Sequence, residues 1–422
     1  MIACGLDFGT SNSAIGVARG NAPALAPLEG DRTLMPSAVF FDLETRGPIE
    51  RTVLFGSEAI AAHVGQAEGR LMRALKSILG SPLIDEETLL GKRKLPLRDV
   101  VEMFVRHLKR KAEAFAGHDI TSVVHGRPVR FVDGDDEADA RAQGVLEDIA
   151  RRVGFRDVAF VYEPIAAAHH YEQTVEAEEL VLIADIGGGT SDFSVIRIGP
   201  QRRGKADRSS DVLANSGIRI GGTDFDALLS LAAVMPLLGL GSLLVEKDLP
   251  MPKALYHELA AWPTINLAYT YKNERALGEL VAQAREPEKV GRLLTLVRQR
   301  LGHRLAFAVE EAKMALSDAD CAAIDLAFLE QGLTVPASRD GFESAIRRQT
   351  HRLYRTARAC VAAAGLTGDA IDTIFLTGGS SRVPAVRAAI ARAAPTARIA
   401  TGSDFLSVAL GLTYMAGLLA RA

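Results

Sequence analysis

Two short stretches of the chain set an aspartate, a run of glycines and a hydroxyl residue between apolar segments. They are Gly5-Leu6-Asp7-Phe8-Gly9-Thr10-Ser11-Asn12 and Ala184-Asp185-Ile186-Gly187-Gly188-Gly189-Thr190-Ser191-Asp192. In each, the order reads as strand, tight turn, strand. Glycine lets backbone N–H groups come close to phosphate oxygens, and the hydroxyl adds a further donor. Two such turns facing each other could clamp a phosphate tail from both sides, with the aspartate of each pointing at an accompanying metal. An aspartate before glycine is usually only a turn former. Two matched copies, each with Asp before and Thr after, are a far more specific signal.

Three further segments carry compatible chemistry. Gly221-Gly222-Thr223-Asp224 and Thr377-Gly378-Gly379-Ser380-Ser381-Arg382 each put glycines just before a predicted helix, where free N–H groups can meet an anion. Glu310, Lys313 and Ser317 share one face of a helix by their spacing of three and four, although an exposed ion pair would give the same pattern. Glu163-Pro164 fits a helix start after a strand. Lys76 alone would be a solvated lysine.

The elements that must hold these residues follow from periodicity. Strands are expected at Ile2–Phe8, Ala14–Ala18, Val123-Val124 (into a turn Gly126-Arg127-Pro128) and Val158–Val161. Val100, Val101, Phe104, Val105, Leu108, Ala112 and Phe115 mark one apolar helix face, and a second helix is expected over Ala138–Val153. Residues 46–94 mix short helices, turns and charge. The second half repeats the plan, with strands at Leu180–Ile186, Phe193–Ile198 and Asp211–Ser216. A largely helical insert over about 223–329 follows, then a long helix near Glu343–Ala364, a strand Ile371–Thr377 and helices at Val383–Ala393 and Phe405–Leu419. This internal duplication implies α/β layers with mixed sheets rather than a helical bundle. Arg202-Arg203-Gly204-Lys205 with Arg208 is expected to be the solvated tip of a hairpin.

Composition narrows the class. The 422 residues exceed one ordinary core, so two lobes are expected. A net charge of -3 offers no basic field, so nucleic acid is not an expected partner. The three cysteines, Cys4, Cys321 and Cys360, have no zinc or redox spacing, which suits a reducing cytosol, and Cys4 should be a buried free thiol. No secretory signal is visible at the N-terminus. The apolar stretch 227–245 is long enough to span a membrane, but Pro236, Gly239 and Gly241 interrupt it and a buried helix with a loop is the better reading. Trp262 with Tyr256, Tyr269 and Tyr271 reads as local core, and His169-His170 as surface or helix packing.

Taken together, the motifs resemble the actin-like ATPase superfamily, and within it the nucleotide-binding domain of DnaK-type heat-shock (Hsp70) chaperones. The resemblance rests on Gly5–Ser13, Ala74–Gly80, Tyr162–Ala168, Asp185–Asp192, Gly221–Asp226, Glu310–Ser317 and Thr377–Pro384, in family order along nearly the whole chain. Gly126–Val129, Met235–Gly239 and Ala284–Val290 are most similar to the short YegD-type branch, which lacks the peptide-binding domain.

The resemblance implies a duplicated ribonuclease H-like fold, with two lobes and four subdomains around an interlobe nucleotide cleft. Lobe I would take residues 1–178 and 399–422, with an insert over about 39–117, and lobe II residues 179–398, with a mostly helical insert over about 223–332. It implies ATP or ADP with Mg²⁺ held by Asp7 and Asp185, mainly through water. Gly9, Thr10, Ser11, Asn12, Gly187, Gly188, Gly189 and Thr190 would grip the phosphates. Lys76 would offset charge on the transferred phosphoryl group, and Glu163 would orient the attacking water. Asp192 would support the second turn. Gly221, Gly222, Glu310, Lys313, Ser317, Gly378, Gly379, Ser380 and Arg382 would bind the nucleoside end. A slow cytoplasmic ATPase follows, monomeric and without a membrane, acting by nucleotide-driven lobe closure, with unidentified client or co-chaperone proteins as partners. Departures are Met314, where relatives often carry a basic residue, Phe405 (with Asp404 before it) where they often carry an acid, and Gly126-Arg127-Pro128 in place of Val-Pro-Ala. A nucleotide-gated interaction module, an actin-like assembling protein and a sugar kinase are the competing classes.

Overall fold

A computed structural model describes residues 3–19, 22–45, 47–65, 67–203, 205, 208–246, 248–402 and 406–419. Phe405 and Asp404, and with them the expected start of the last helix, lie outside the described residues, as do Ile2 and Gly204. The chain divides into two compact units, residues 1–221 with 351–381 and 386–422, and residues 222–350 with 382–385.

Two sheets of one design organise the first unit. In the first, Ala3–Phe8 pairs antiparallel with Asn12–Arg19, which pairs antiparallel with Ala22–Leu25. On its other edge Ala3–Phe8 pairs parallel with Ser122–Arg127, and that strand with Asp157–Tyr162. The second sheet repeats the order: Val212–Ile218, Ser191–Ile198 and Glu179–Ile186 run antiparallel, then Thr373–Thr377 and Arg398–Thr401 add in parallel. The duplication read from the motifs is therefore a duplication of sheet topology.

Helices cover the faces as their apolar stripes dictate. Leu97–Ala116 buries Val100, Val101, Phe104, Val105, Leu108 and Ala112, the face read from spacing, in one core with Leu6, Phe8 and helix Asp136–Arg152. A second core joins Val124, Val181, Ile183 and Phe375 to helices Glu163–Glu172 and Ser407–Leu419. There the backbones nearly touch: a Cβ on Gly411 would lie 1.8 Å from the Ala166 carbonyl oxygen, and one on Gly5 2.3 Å from the Thr413 nitrogen. Cys4 is a buried free thiol, and His169 is buried in helix packing beside Tyr414.

Several expectations need correction. Residues 46–94 contain strands that their charge disguised: Val53–Phe55 and Gly69–Arg73 flank Ala38–Asp42, and Glu87–Leu90 pairs with Arg93–Pro96. The ladder of Ser122–Arg127 runs through Gly126 and Arg127, so these residues end a strand and do not form a turn. Of the basic residues in the Arg202–Arg208 connection, which joins two antiparallel strands, Arg203 and Lys205 are exposed as expected, but Arg202 and Arg208 are half-buried and paired. Arg208 holds Glu172 with both terminal nitrogens (2.7 and 2.9 Å) and Asp211 at 2.6 Å, while Arg203 donates to the carbonyl oxygens of Glu172 and Val175.

The second unit is mostly helical, with Gly222–Leu229, Ala254–Ala260, Tyr271–Gln283, Pro287–Arg298 and Gly302–Asp318. A hairpin, Cys321–Asp325 with Thr334–Ser338, was missed because each strand is short and its apolar face small. The 227–245 stretch forms the end of one helix, a π-helical turn Ser230–Val234 and a 3-10 turn Met235–Leu238. Among the described residues no helix is long and apolar enough to cross a membrane. Trp262 and Tyr256 are buried, as read, and Tyr271 is 81% exposed.

Candidate active site

Both glycine-rich turns lie in the first unit and are braced from below by serines. The first follows Asp7 and Phe8, whose register partners are Ala14 and Ser13. Gly9 donates its N–H to Ser13 Oγ at 3.2 Å, Ser13 and Ser37 hydroxyls meet at 2.8 Å, and Ser37 Oγ donates to the Gly9 carbonyl at 2.7 Å. In the second turn Gly187 N–H donates to the Thr190 carbonyl at 2.9 Å, and Ser380 Oγ to the Gly187 carbonyl at 2.9 Å. Ser380 is thus a brace from the Gly378–Arg382 segment. Ser37 was not legible as a site residue: nothing in its neighbourhood marks it, and it lies 28 positions from Gly9.

The turns face each other at close range. A Cβ on Gly188 would sit 2.3 Å from Ser11 Oγ, and one on Gly189 2.7 Å from Thr10 Oγ1. Gly221 backs the second turn, its Cβ position being 2.5 Å from the Gly188 carbonyl carbon. Gly378, at φ +79°, lies against Asp185: a Cβ there would be 2.7 Å from Asp185 Oδ1. Backbone N–H groups from both halves can therefore approach one bound group, which side chains at these positions would block.

Lys76 and Glu163 meet beside the turns. Ala74 takes the left-handed conformation (φ +57°) and starts the 3-10 turn Leu75–Ile78 that carries Lys76 inward. Glu163 opens helix Glu163–Glu172 at the end of the strand Asp157–Tyr162, with Pro164 in the first turn as expected. Both side chains are buried and the Lys76 ammonium donates to Glu163 Oε1. Asp7, Asp185 and Asp192 complete the cluster. Burial first, then the charge of Glu163, pushes Asp7 well above the carboxylate range, with Lys76 pulling it down and Asp185 pushing it up. Burial, Glu163 and Asp192 raise Asp185 to about 8. Burial and Glu163 raise Asp192 to about 7 against the hydrogen bonds from Thr190 and the Val129 N–H. For Lys76, burial works against the charge, but Glu163 and Asp7 outweigh it and its pKa rises. One ammonium faces four carboxylates, so the cluster is short of positive charge.

That shortage tests the fit of a divalent cation. Asp7, half-buried, and Asp185, buried, offer hard oxygen donors that repel each other. Magnesium typically takes one or two carboxylates and fills its other positions with water and phosphate oxygens. Among the described residues no group of three or more His, Cys, Asp or Glu could hold a metal by itself. The residues present fit the ion.

A buried arginine network adjoins the cluster and was not legible in the sequence. Arg127, at the end of its strand, donates to the carbonyl oxygens of Pro128 (3.0 Å) and Val129 (3.3 Å), to Asp139 Oδ2 (2.7 Å) and to Gln143. Asp139 Oδ1 takes the Phe131 N–H at 2.6 Å, and the Val129 N–H donates to Asp192 Oδ1 at 2.6 Å.

The remaining predicted residues belong to the second unit. Glu310, Lys313 and Ser317 lie on helix Gly302–Asp318, and Gly222 opens Gly222–Leu229. Arg382 is exposed, Glu310 and Ser317 are half-buried, and Met314 is 56% exposed. Lys313 is not an exposed partner of Glu310. It is buried, pairs with Asp226 at 2.7 Å and donates to the Gly222 carbonyl at 3.3 Å. Asp226 also accepts the Trp262 indole N–H at 3.2 Å, and burial raises it to about 6 against the pull of Lys313.

Two sheets share one five-strand order (the first adds Met35–Pro36 at its edge), each with an aspartate next to last in its first strand and a glycine turn after it, and they define an actin-like ATPase fold. The family profile described as Hsp70 protein matches residues 3–234 and 284–421. The chain belongs to the Hsp70 family and is an Hsp70-type, ATP-binding, chaperone-like protein.

Proposed function

We propose that this protein hydrolyses ATP slowly, with Mg²⁺, acts by nucleotide-driven closure of its lobes around ATP, and works with client or co-chaperone proteins in the cytoplasm, as a monomer. The observation that carries the reading is the buried Lys76–Glu163 contact beside two opposed glycine turns. In this reading the N–H groups and hydroxyls of Gly9, Thr10, Ser11, Asn12 and Gly187–Thr190 grip the phosphate tail. Asp7 and Asp185 would hold Mg²⁺, which supplies charge neutralisation on the phosphates. Glu163 orients a water and accepts its proton as the water oxygen bonds to the γ-phosphorus and the bond to the ADP oxygen breaks. Lys76 offsets the charge that develops on the phosphoryl oxygens. The nucleoside end goes to Gly221, Gly222, Glu310, Lys313, Ser317, Gly378, Gly379, Ser380 and Arg382, an assignment supported by the resemblance.

A second reading is favoured by that same contact. Lys76 and Glu163 already satisfy each other, and a pair that stays closed would leave a nucleotide-gated interaction module without turnover. Phosphate release from ATP, with Mg²⁺ or EDTA, on wild type and Glu163→Ala decides between them. Magnesium-dependent release lost in the variant supports the ATPase. Tight ATP binding with no release above the variant supports the module, and no binding at all removes both.

A further inference from the structure

We propose that Arg127 is a positioning residue that holds Glu163 and Asp192 in place together, from a single buried guanidinium. One arm runs through Tyr162, the residue before Glu163. Arg127 and Tyr162 are register partners in the parallel ladder, and the Arg127 Cζ lies 5.2 Å from the Tyr162 ring centroid. Arg127 Cζ also lies 5.1 Å from the Phe131 ring centroid, so two aromatic rings pack against the guanidinium. Gly126 brings the strand close to Glu163 itself, whose Cγ is 3.3 Å from where a Cβ on Gly126 would stand.

The second arm runs through the backbone. Arg127 grips the carbonyls of Pro128 and Val129, and through Asp139 it also fixes the Phe131 N–H. Between these restraints lies the Val129 N–H, aimed at Asp192 Oδ1. A planar fork that serves several acceptors at once is what arginine offers and neither lysine nor an apolar residue can. A buried ion pair often adds little net stability over well-packed apolar side chains, which argues for a role in specifying geometry. Two carboxylates that belong to different sheets, Glu163 after the first and Asp192 in the second, thus share one support.

The kinetic part of this inference rests on the ATPase reading; the structural part does not. The test uses Arg127→Met and Arg127→Lys with ATP affinity by calorimetry, kcat from phosphate release, and amide hydrogen exchange at Val129. Loss of an outer support is expected to lower kcat by about 10–100-fold. ATP affinity should be unchanged and the Val129 amide should exchange faster. Arg127→Met combined with Asp192→Asn should lose less rate than the product of the two single losses, because the Asp192 arm is shared, while the Glu163 arm still adds its own loss. An unchanged kcat, a fall matched by an equal loss of affinity, or rate losses that multiply in the double variant would each overturn the proposal. Should Arg127→Met not fold, Arg127→Lys keeps a charge opposite Asp139 but cannot span both carbonyls, and is expected to show the same pattern. If the wild type has no turnover sensitive to Glu163→Gln, the ATPase reading has failed. Exchange at Val129 then decides alone: faster exchange in the variants sustains the positioning role, and unchanged protection ends it.

Discussion

Lys76 donates to Glu163 across 87 positions of sequence, and the two side chains are only 5% and 8% exposed. Removing one partner strands the other in a buried place, a loss of about 3–5 kcal/mol. Lys76→Met should therefore unfold at lower urea, and Lys76→Met with Glu163→Gln should recover most of the difference. Turnover behaves otherwise. Lys76→Ala is expected to reduce kcat by about 10²-fold or more, because charge on the phosphoryl group goes uncompensated. The stability-restored double variant should stay inactive. Recovered activity in that double variant would remove both residues from the chemistry.

Asp185 and Asp192 give the ligand-free protein an unusual pH dependence. Their folded pKa values, about 8 and about 7, lie above the ordinary carboxylate value of 3.8. Between those limits the folded state holds protons that the unfolded chain has released. Stability from these groups is full below about pH 4 and is lost as pH rises through 7 and 8, at up to about 1.4 kcal/mol per pH unit for each carboxylate. In EDTA, the melting temperature of the wild type should fall relative to Asp185→Asn between pH 5 and pH 8. A flat difference would mean that the cluster is not desolvated. Mg²⁺ added at pH 8 should raise the wild-type melting temperature more than that of Asp7→Asn.

Gly188 offers a steric test. An alanine methyl there would meet Ser11 Oγ at 2.3 Å and Ser11 Cβ and N at 3.3 Å, so the Ser11 hydroxyl must turn away from the phosphate side and the turn backbone must give slightly. Such overpacking costs about 1–3 kcal/mol, so ATP affinity should drop about 10–100-fold. Gly144, in helix Asp136–Arg152, has nothing within 4 Å of its Cβ position. Gly144→Ala should instead stabilise by about 0.5–1 kcal/mol and bind ATP normally. Equal affinities in the two variants would refute close approach of the turns.

Arg208 should matter for folding and not for catalysis. Its partner Glu172 is 1% exposed as a side chain and accepts two of its hydrogen bonds. Arg208→Met leaves that buried carboxylate, among the described residues, with the Gly199 N–H as its remaining donor, and a loss of about 3–5 kcal/mol is expected in urea unfolding. A loss below about 1 kcal/mol, the range of an exposed pair, would show the carboxylate to be solvated.

Local chemistry made half of this site legible. The turns at Asp7 and Asp185 could be read because glycine, aspartate and hydroxyl residues sit together in sequence; Pro164 marked only a helix start, and Glu163 entered the site through the family resemblance. The strand ladders followed from apolar runs, and the repeated sheet order from the repeated turns. What stayed hidden is long-range. Ser37 braces Gly9, and Arg127 reaches Asp139 only because a strand end and a helix start meet in space. The basic run around Arg202 looked like a solvent face because charge alone does not show where its partners lie. Glu172 and Asp211 flank it at separations that no periodicity marks. Short charged strands such as Glu87–Leu90 failed for a related reason: half of their side chains face solvent, and four residues are too few to establish alternation.

The cysteines have a practical side. Cys4 and Cys360 are buried, their thiols pushed well above the usual range by burial, whereas Cys321 stands exposed on the hairpin of the second unit. A maleimide dye added to the unaltered native chain should therefore attach at one place. The protein arrives already suited to single-site fluorescence labelling, and a second cysteine engineered into the first unit would complete a distance ruler without any native thiol having to be removed.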